Sequence, residues 1–167
     1  RSFAEVPHSG EIWGCDIDEE SIQWNQNHLA HLAQFVANPT MPPSSFADGF
    51  FDAIYSVSVF THLPEDMQTA WAQEMHRVLE PGGVLVASFH GEHYWNRDPE
   101  VAAEVKATGF AYRTGAITEG LPGFYMVAYH SIEYITREWS EWFEVLAHLP
   151  RQIDGAHDAV VLRRKTD

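Results

Sequence analysis

The sequence predicts an α/β protein with an open, mostly parallel sheet that ends in an antiparallel C-terminal strand hairpin. The first observation lies in residues 51–90, where an apolar strand, an amphipathic helix and a second apolar strand follow one another. The second lies near the C-terminal end, where residues 142–149 and 156–163 are apolar runs separated by a polar turn. Ligands of open α/β sheets bind beyond the carboxyl ends of the strands. We therefore expect residues 55–62 and 89–91 to line a binding crevice.

The strand–helix–strand segment gives the clearest local pattern. Residues 52–59 are β-branched and aromatic, and Pro64 begins the helix at a position where its missing N–H costs nothing. The apolar face of this helix is predicted to consist of Met67, Ala70, Trp71, Met75, Val78 and Leu79. Pro-Gly-Gly at residues 81–83 ends the helix, and residues 84–89 predict a buried parallel strand. Such a connection is a right-handed crossover.

The chain before this segment predicts one more strand–helix–strand unit. Residues 11–15 form a short strand, and Asp18 is the expected N-cap of the next helix. The buried side of that helix is expected to consist of Ile22, Leu29 and Leu32. A second short strand is expected over residues 34–37, before a proline-rich loop that cannot be helical.

The chain after the segment is less regular. Residues 98–108 predict a helix. Residues 109–123 carry four glycines and predict an insertion or lid. Residues 124–130 predict an extra strand. Ser131 is the expected cap of a helix that runs to about residue 138. The turn of the terminal hairpin is placed at residues 150–152.

Composition excludes several classes of protein. The net charge is −14, and an acidic chain is a poor candidate for binding nucleic acid. No apolar run is long enough to span a membrane, and the single cysteine, Cys15, excludes an internal disulfide. We therefore expect a cytoplasmic protein with neither membrane nor nucleic-acid partner. No metal is expected, because a loop triplet of His90, Glu92 and His93 is weak support for a metal site.

Three segments carry a family resemblance: GCDIDEESIQWNQNH, FFDAIYSVSVFTHL and MHRVLEPGGVLVASFHG. Together with the terminal hairpin, they resemble the class I S-adenosylmethionine-dependent methyltransferases. The resemblance begins near Gly10 and leaves out the variable region between the second crossover strand and the terminal hairpin. It implies a Rossmann-like open sheet with helices on both faces, and S-adenosylmethionine as cofactor.

The resemblance also implies an organisation for the chain. Residues 1–167 would form a single methyltransferase-like domain, with residues 92–138 as a variable insertion on the acceptor side. The family's glycine-rich loop has no counterpart in this sequence, because Gly10 and Gly14 flank a strand and are not followed by a helix start. We expect the missing strand and loop to lie before Arg1, as part of a larger chain.

Three residues of the first unit match the adenosine side of the family's cofactor site. Asp16 matches the acidic residue that accepts hydrogen bonds from both ribose hydroxyls; the alternative is a part in the helix cap. Ile17 would pack on the adenine face, unless it belongs to the core. Asn38 would face the adenine amine, or would serve only the turn before Pro39.

Three further residues match the methionine side of that site. Ser56 and Val57, at the carboxyl end of the central strand, match positions that flank the sulfonium, where main-chain carbonyls favour positive charge. Phe60 would add a ring–cation attraction of about 1 kcal/mol, or would cover the helix below it.

The predicted acceptor is a small molecule, and the predicted reactive atom is a hydroxyl oxygen. An oxygen acceptor benefits from a base, and histidine suits that role near neutral pH. Candidate histidines near strand ends are His62, His90, His93 and His130. His130 is our first choice as base and His90 the second, with Tyr125 and His130 shaping the acceptor pocket. The alternative for each is a structural histidine.

Two other functions fit the residues. Asp16 would also serve a dinucleotide-dependent oxidoreductase, although the terminal hairpin disfavours that enzyme class. The missing glycine-rich loop favours a non-catalytic methyltransferase-like domain, which would serve as a binding or scaffold module of a larger protein.

Overall fold

The structure is a computed structural model that describes residues 10–115 and 120–166. The chain divides into two compact units, Arg1–Ser45 and Phe46–Asp167. The elements are β1 (Trp13–Asp16), α1 (Glu19–Leu29), β2 (Gln34–Ala37), β3 (Phe51–Ser56), α2 (Glu65–Val78), β4 (Leu79–Phe89), α3 (Glu92–Trp95), α4 (Pro99–Thr108), β5 (Phe110–Arg113), β6 (Val127–His130), α5 (Ile132–Glu138), β7 (Phe143–Ile153) and β8 (His157–Arg164). An α/β protein is thereby confirmed.

The N-terminal unit contains two parallel strands and one helix. β1 pairs with β2, and Asp16 lies opposite Ala37 at the carboxyl end of the pair. α1 begins as predicted, because the Asp18 side chain accepts hydrogen bonds from the N–H groups of Glu20 and Ser21. Ile22 is buried, whereas Leu29 is only partly buried. Both predicted strands of this unit are confirmed.

The main sheet of the C-terminal unit is mixed rather than mostly parallel. Its strand order is β3-β4-β8-β7. β3 is parallel to β4, whereas β8 runs antiparallel to both β4 and β7. The sheet is mixed because the last two strands form a hairpin, as predicted, and β8 then pairs with β4. β8 therefore lies inside the sheet, and β7 forms one edge.

The hairpin turn lies later than predicted. β7 continues through Pro150 and Arg151 to Ile153, so residues 150–152 belong to a strand. Pro150 is tolerated there because β7 is an edge strand, where a missing N–H removes no ladder bond. The turn forms at Asp154 and Gly155, which both have positive φ, 51° and 68°. Asp and Gly are the residues that adopt such angles most readily.

The central crossover is confirmed, with two changes at its ends. β3 ends at Ser56 and not at residue 59, because the chain turns at Ser58, whose φ is +56°. β4 begins at Leu79 and includes the Pro-Gly-Gly sequence as an irregular stretch of strand. Leu79 therefore belongs to β4 and not to the helical face, and its side chain is fully buried.

Residues 92–138 contain regular structure that the sequence pattern did not predict. α3 and β5 were both missed, and β5 lies within the predicted lid of residues 109–123. β5 pairs antiparallel with β6, which confirms the C-terminal half of the strand predicted at residues 124–130. Residues 116–119 of the predicted lid lie outside the described residues. α4 is confirmed and ends at Gly109, whose φ of +91° suits glycine.

The core of the C-terminal unit lies between the main sheet and α2 and α5. Its fully buried large side chains include Phe60, Leu85, Phe89, Val160 and Leu162. A second small cluster around Val105 joins α4 to the β5–β6 pair. Among the described residues, no helix has the length and apolar character needed to cross a membrane.

The end of β4 requires glycine at residue 91. A Cβ at Gly91 would lie 1.9 Å from Asp158 Oδ2. Asp158 cannot move away freely, because it is buried and accepts hydrogen bonds from His148 and the Arg151 N–H. We expect Gly91→Ala to lower the free energy of unfolding by about 1–3 kcal/mol, measured by urea denaturation.

Gly123→Ala is the matched control, because nothing lies within 4 Å of the Cβ that it would add. Equal urea midpoints for the two variants would contradict the steric role of Gly91.

Candidate active site

The N-terminal unit brings three predicted cofactor residues to one strand end. Asp16 is the last residue of β1, and Asn38 directly follows β2. The Asn38 N–H donates to the Asp16 carbonyl oxygen at 2.7 Å. Ile17 comes next in the chain and keeps 40% of its surface exposed, which is unusual for an isoleucine and excludes a core position. A carboxylate, an apolar surface and an amide therefore share the carboxyl edge of β1 and β2.

Asp16 is available to a ligand. Asp18, and not Asp16, caps α1 through its side chain. Asp16 Oδ1 accepts the Asp18 N–H at 3.0 Å, which orients the carboxylate, and the side chain is exposed. This arrangement leaves the second oxygen for hydroxyl donors, as a ribose diol requires.

The C-terminal unit places Ser56 and Val57 at the carboxyl end of β3. Ser56 is buried and Val57 is half-buried. The chain turns directly afterwards at Ser58, whose N–H donates to Ser88 Oγ at 2.8 Å. A residue other than glycine in the left-handed backbone conformation costs free energy, and such residues are frequent at functional sites. Sequence reasoning missed Ser58 and Ser88, since neither the angle nor the bond between strands leaves a local pattern.

Phe60 has the position of a core residue. Its side chain is fully buried, and its ring packs against Phe89 and Trp139 at centroid distances of 5.8 and 4.8 Å. The geometry favours the alternative in which Phe60 covers the helix below it.

His130 lies in the core, hydrogen-bonded to a buried glutamine. Gln68 donates from Nε2 to the carbonyl oxygens of Phe60 and Leu63, so its Oε1 accepts from His130 Nε2 at 2.9 Å. His130 is 2% exposed, and burial lowers its pKa to about 3. A histidine with so low a pKa is a poor base at neutral pH. The geometry favours a structural role for His130, and Gln68 is a polar residue that the helical pattern did not single out.

His62 and His90 are held by the backbone near and within β6. His62 Nδ1 lies 2.8 Å from the Met126 carbonyl oxygen, and His90 Nδ1 lies 3.1 Å from that of Ala128. Their ring centroids are 6.0 Å apart. Burial lowers the pKa of His62, and burial together with the nearby His157 lowers the pKa of His90 to about 4. Both imidazoles are therefore neutral near pH 7.

Four more rings surround this pair, and we call the group the imidazole–tyrosine cluster. It consists of His62, His90, His157, Tyr94, Tyr125 and Tyr129. Tyr125 is the predicted acceptor residue, and its ring stacks on His62 at 4.1 Å and 12°. His157 was not predicted, because it comes from β8, far along the chain from the other members. No group of three or more His, Cys, Asp or Glu side chains in the described parts of the chain is arranged to hold a metal ion.

A cavity of about 450 Å³ lies on the side of the C-terminal unit that α4 and α5 cover. Its lining includes His130, His148 and Asp158, and the His148–Asp158 pair is joined at 2.7 Å. His130 thus borders this cavity, away from the tyrosine rings, which are not part of the lining.

Comparison with known proteins identifies the family of this chain. Residues 1–87 match the family model described as "Methyltransferase domain". The chain belongs to the methyltransferase-domain family. The predicted family is thereby confirmed, and methyl transfer from S-adenosylmethionine is the enzyme class and cofactor that this match supports. Neither the oxidoreductase nor the scaffold alternative is favoured.

One curated relative is the 2-methyl-6-phytyl-1,4-hydroquinone methyltransferase of Synechocystis sp., 39% identical over 56 residues. That alignment covers 34% of this chain and only 17% of the relative. The chain therefore spans a small part of the curated protein that it matches.

Solved structures show the same fold at low identity. A SAM-dependent methyltransferase from Methanosarcina mazei matches with a TM-score of 0.68 and 16% identity, over 94% of this chain and 83% of that chain. The 1,6-didemethyltoxoflavin-N1-methyltransferase of Burkholderia thailandensis, solved with its substrate and S-adenosylhomocysteine, matches with a TM-score of 0.64 and 17% identity. That match covers 94% of this chain and 62% of the other.

The buried His130 predicts a pH dependence of stability. In the unfolded chain it is protonated below its ordinary pKa of 6.5, whereas in the folded protein it stays neutral down to about pH 3. The unfolded state therefore binds one more proton over this range, so the free energy of unfolding falls as the pH falls. We expect His130→Gln to remove up to about 1.4 kcal/mol per pH unit of that slope.

The measurement is urea denaturation at several pH values between about 6 and 4, a window that lies between the two pKa values. His31→Gln, at an exposed site, is the control and should leave the slope unchanged. Parallel slopes for wild type and His130→Gln would show that His130 is not held neutral.

Proposed function

We propose that the protein transfers the methyl group of S-adenosylmethionine to a hydroxyl oxygen of a small molecule. The observation that carries this proposal is the grouping of Asp16, Ile17 and Asn38 at one strand end in a chain of the methyltransferase-domain family. This set offers the acceptors, the apolar surface and the amide that an adenosine group needs. The cofactor would supply a methyl group that is already activated on sulfur.

Three residues of the N-terminal unit would bind the adenosine part of the cofactor. Asp16 would accept hydrogen bonds from the ribose hydroxyls, Ile17 would cover one face of the adenine, and Asn38 would face its amine. In the C-terminal unit, main-chain carbonyls near Ser56 and Val57 would favour the positive sulfonium. These roles agree with the exposure of Asp16 and Ile17 and with the strand-end position of all five residues.

Methylation of a hydroxyl oxygen releases one proton, which a neutral imidazole would accept. Of the two predicted bases, we now place His90 ahead of His130. His90 belongs to a cluster of half-buried rings, whereas His130 is enclosed in the core and its Nε2 is hydrogen-bonded to Gln68. His62 joins the candidates, because it is half-buried and Tyr125 stacks on it. His130 would then contribute to the acceptor side by supporting β6.

The arrangement of the whole fold is part of the proposal. We propose that the fold is a Rossmann-like open sheet with helices on both faces, as in the family. Residues 92–138 would supply the acceptor side, which is supported by the contribution of Tyr94, Tyr125 and Tyr129 to the cluster. A small-molecule acceptor agrees with the names of the Synechocystis and Burkholderia methyltransferases.

The role of Asp16 is tested by binding of S-adenosylhomocysteine to the full-length protein in a calorimeter. We expect Asp16→Asn to weaken binding by about 10- to 100-fold, because hydrogen bonds to a charged group contribute about 1.5–3 kcal/mol. Glu19→Gln removes the same charge three residues away and should bind like the wild type. No binding to the wild type at millimolar ligand would overturn the proposed function, and equal binding by Asp16→Asn would overturn the role of Asp16.

The choice of base is tested by methylation rates with radiolabelled cofactor, after phenols have been screened for acceptor activity. We expect His90→Ala to lower the rate by about 10²-fold, the usual contribution of a general base. His31→Ala should leave it unchanged. A rate for His90→Ala within about threefold of the wild type would rule out His90 as the base.

A further inference from the structure

The tautomers of His62 and His90 follow from their backbone partners. Each Nδ1 faces a carbonyl oxygen, at 2.8 Å for His62 and 3.1 Å for His90. A carbonyl oxygen can only accept, so each Nδ1 must carry the hydrogen. In a neutral imidazole the other nitrogen is then a bare acceptor. The two rings therefore present Nε2 lone pairs, and neither Nε2 can donate.

Both rings are fixed before any ligand arrives. The Met126 N–H donates back to the His62 carbonyl oxygen at 3.4 Å, and the Ala128 N–H donates to that of Thr61 at 2.8 Å. His130 N–H donates in turn to the His90 carbonyl oxygen at 3.0 Å. The loops after β3 and β4 are thus hydrogen-bonded to the same stretch of chain. Preorganised acceptors bind a donor with little loss of conformational entropy.

The surroundings of the two acceptors are aromatic. Tyr125 stacks on His62, and the Tyr94 ring lies 4.1 Å from that of His90. Tyr129 and His157 lie 5.7 and 4.9 Å from His90, which is itself only 5% exposed. The four outer rings are half-buried. A buried acceptor ringed by half-buried aromatic side chains is suited to a flat aromatic ligand.

Hydrogen-bond chemistry selects for a ligand that carries a donor. An anionic oxygen would face two nitrogen lone pairs and lose its hydration, which is costly without a paired donor. A neutral hydroxyl brings the donor that each Nε2 lacks.

We propose that the imidazole–tyrosine cluster binds an uncharged aromatic acceptor, a hydroquinone, whose two hydroxyl groups donate to the Nε2 atoms of His62 and His90. This inference rests on the proposed function, because it names the acceptor class of the same site. It requires both imidazoles to be Nδ1–H tautomers.

The tautomers are measured first, by ¹⁵N NMR of histidine side chains in the full-length protein. We expect His62 and His90 to show a protonated Nδ1 and an unprotonated Nε2 near pH 7. An Nε2–H tautomer at either residue would overturn the proposal, because that nitrogen would then be a donor.

Ligand binding is then measured by calorimetry on protein saturated with S-adenosylhomocysteine. The probe is hydroquinone, and 1,4-dimethoxybenzene is the comparison ligand, because it keeps the ring and lacks the donors. We expect the dimethoxy compound to bind at least about 10-fold more weakly, as two neutral hydrogen bonds are lost.

His62→Asn and His90→Asn separate ligand binding from structural support. Asparagine can donate to the same backbone carbonyl as Nδ1 does, but it has no atom in place of Nε2. We expect each variant to keep its affinity for S-adenosylhomocysteine and to bind hydroquinone about 3- to 10-fold more weakly. His31→Asn, at an exposed site, is the control.

The outcomes distinguish the two proposals. If the wild type fails to bind S-adenosylhomocysteine, the proposed function is overturned. If it binds that ligand but not hydroquinone at millimolar concentration, or if both Asn variants bind hydroquinone like the wild type, the acceptor inference alone is overturned.

Discussion

The hydrogen bonds between β6 and the loops after β3 and β4 are the constraint on which the candidate acceptor site depends. Backbone carbonyl oxygens of each loop accept hydrogen bonds from N–H groups of this stretch. In return, the histidine ring of each loop donates to a carbonyl oxygen of the same stretch. Neither His62 nor His90 lies in a regular element, so loop flexibility would otherwise leave both rings free to change rotamer. The carbonyl oxygens of Met126 and Ala128, just before and within β6, hold each imidazole in one orientation.

The polar core beneath β6 makes this arrangement rigid. Gln68 uses its amide to hold two carbonyls of the loop after β3 and the ring of His130. Each of these groups is buried, and a buried polar group without a partner costs about 1–3 kcal/mol. The network therefore resists any displacement of α2 relative to β6. The contacts of His130, our first choice of base from the sequence, favour a structural role beneath β6.

The elements that could be predicted from the sequence are those with local signals. Periodicity and turn residues indicated the crossover of β3, α2 and β4, and the cap of α1 was visible in Asp18. Alternating apolar runs indicated the terminal hairpin, but its turn was misplaced because Pro150 is usually a breaker and an edge strand tolerates it. β5 was missed because a four-residue strand is defined by its partner, and thirteen residues separate it from that partner.

The candidate site also contains residues that the sequence indicated and residues that only the structure reveals. Asp16, Ile17 and Asn38 were proposed through the family resemblance, because each matches a family position at or just after the end of a short strand. His157, Gln68 and Ser88 could not, since each acquires its role from a contact with a residue distant in the chain. His90 follows β4 and His130 ends β6, so both lie at strand ends, and their order of preference depends on the contacts around them. Sequence position indicates which edge of a sheet a histidine reaches, but not how deeply it is covered.

The inner position of β8 has a consequence for how the protein is made. β8 ends at Arg164 and lies between β4 and β7, so the main sheet stays open until almost all of the described chain is available. On the ribosome, β4 would emerge long before its antiparallel partner and would expose an unpaired edge during synthesis. Pairings so distant in sequence slow folding. Closure of this sheet would therefore be a late event in folding, and truncations within β8 would leave β4 open to association with other chains.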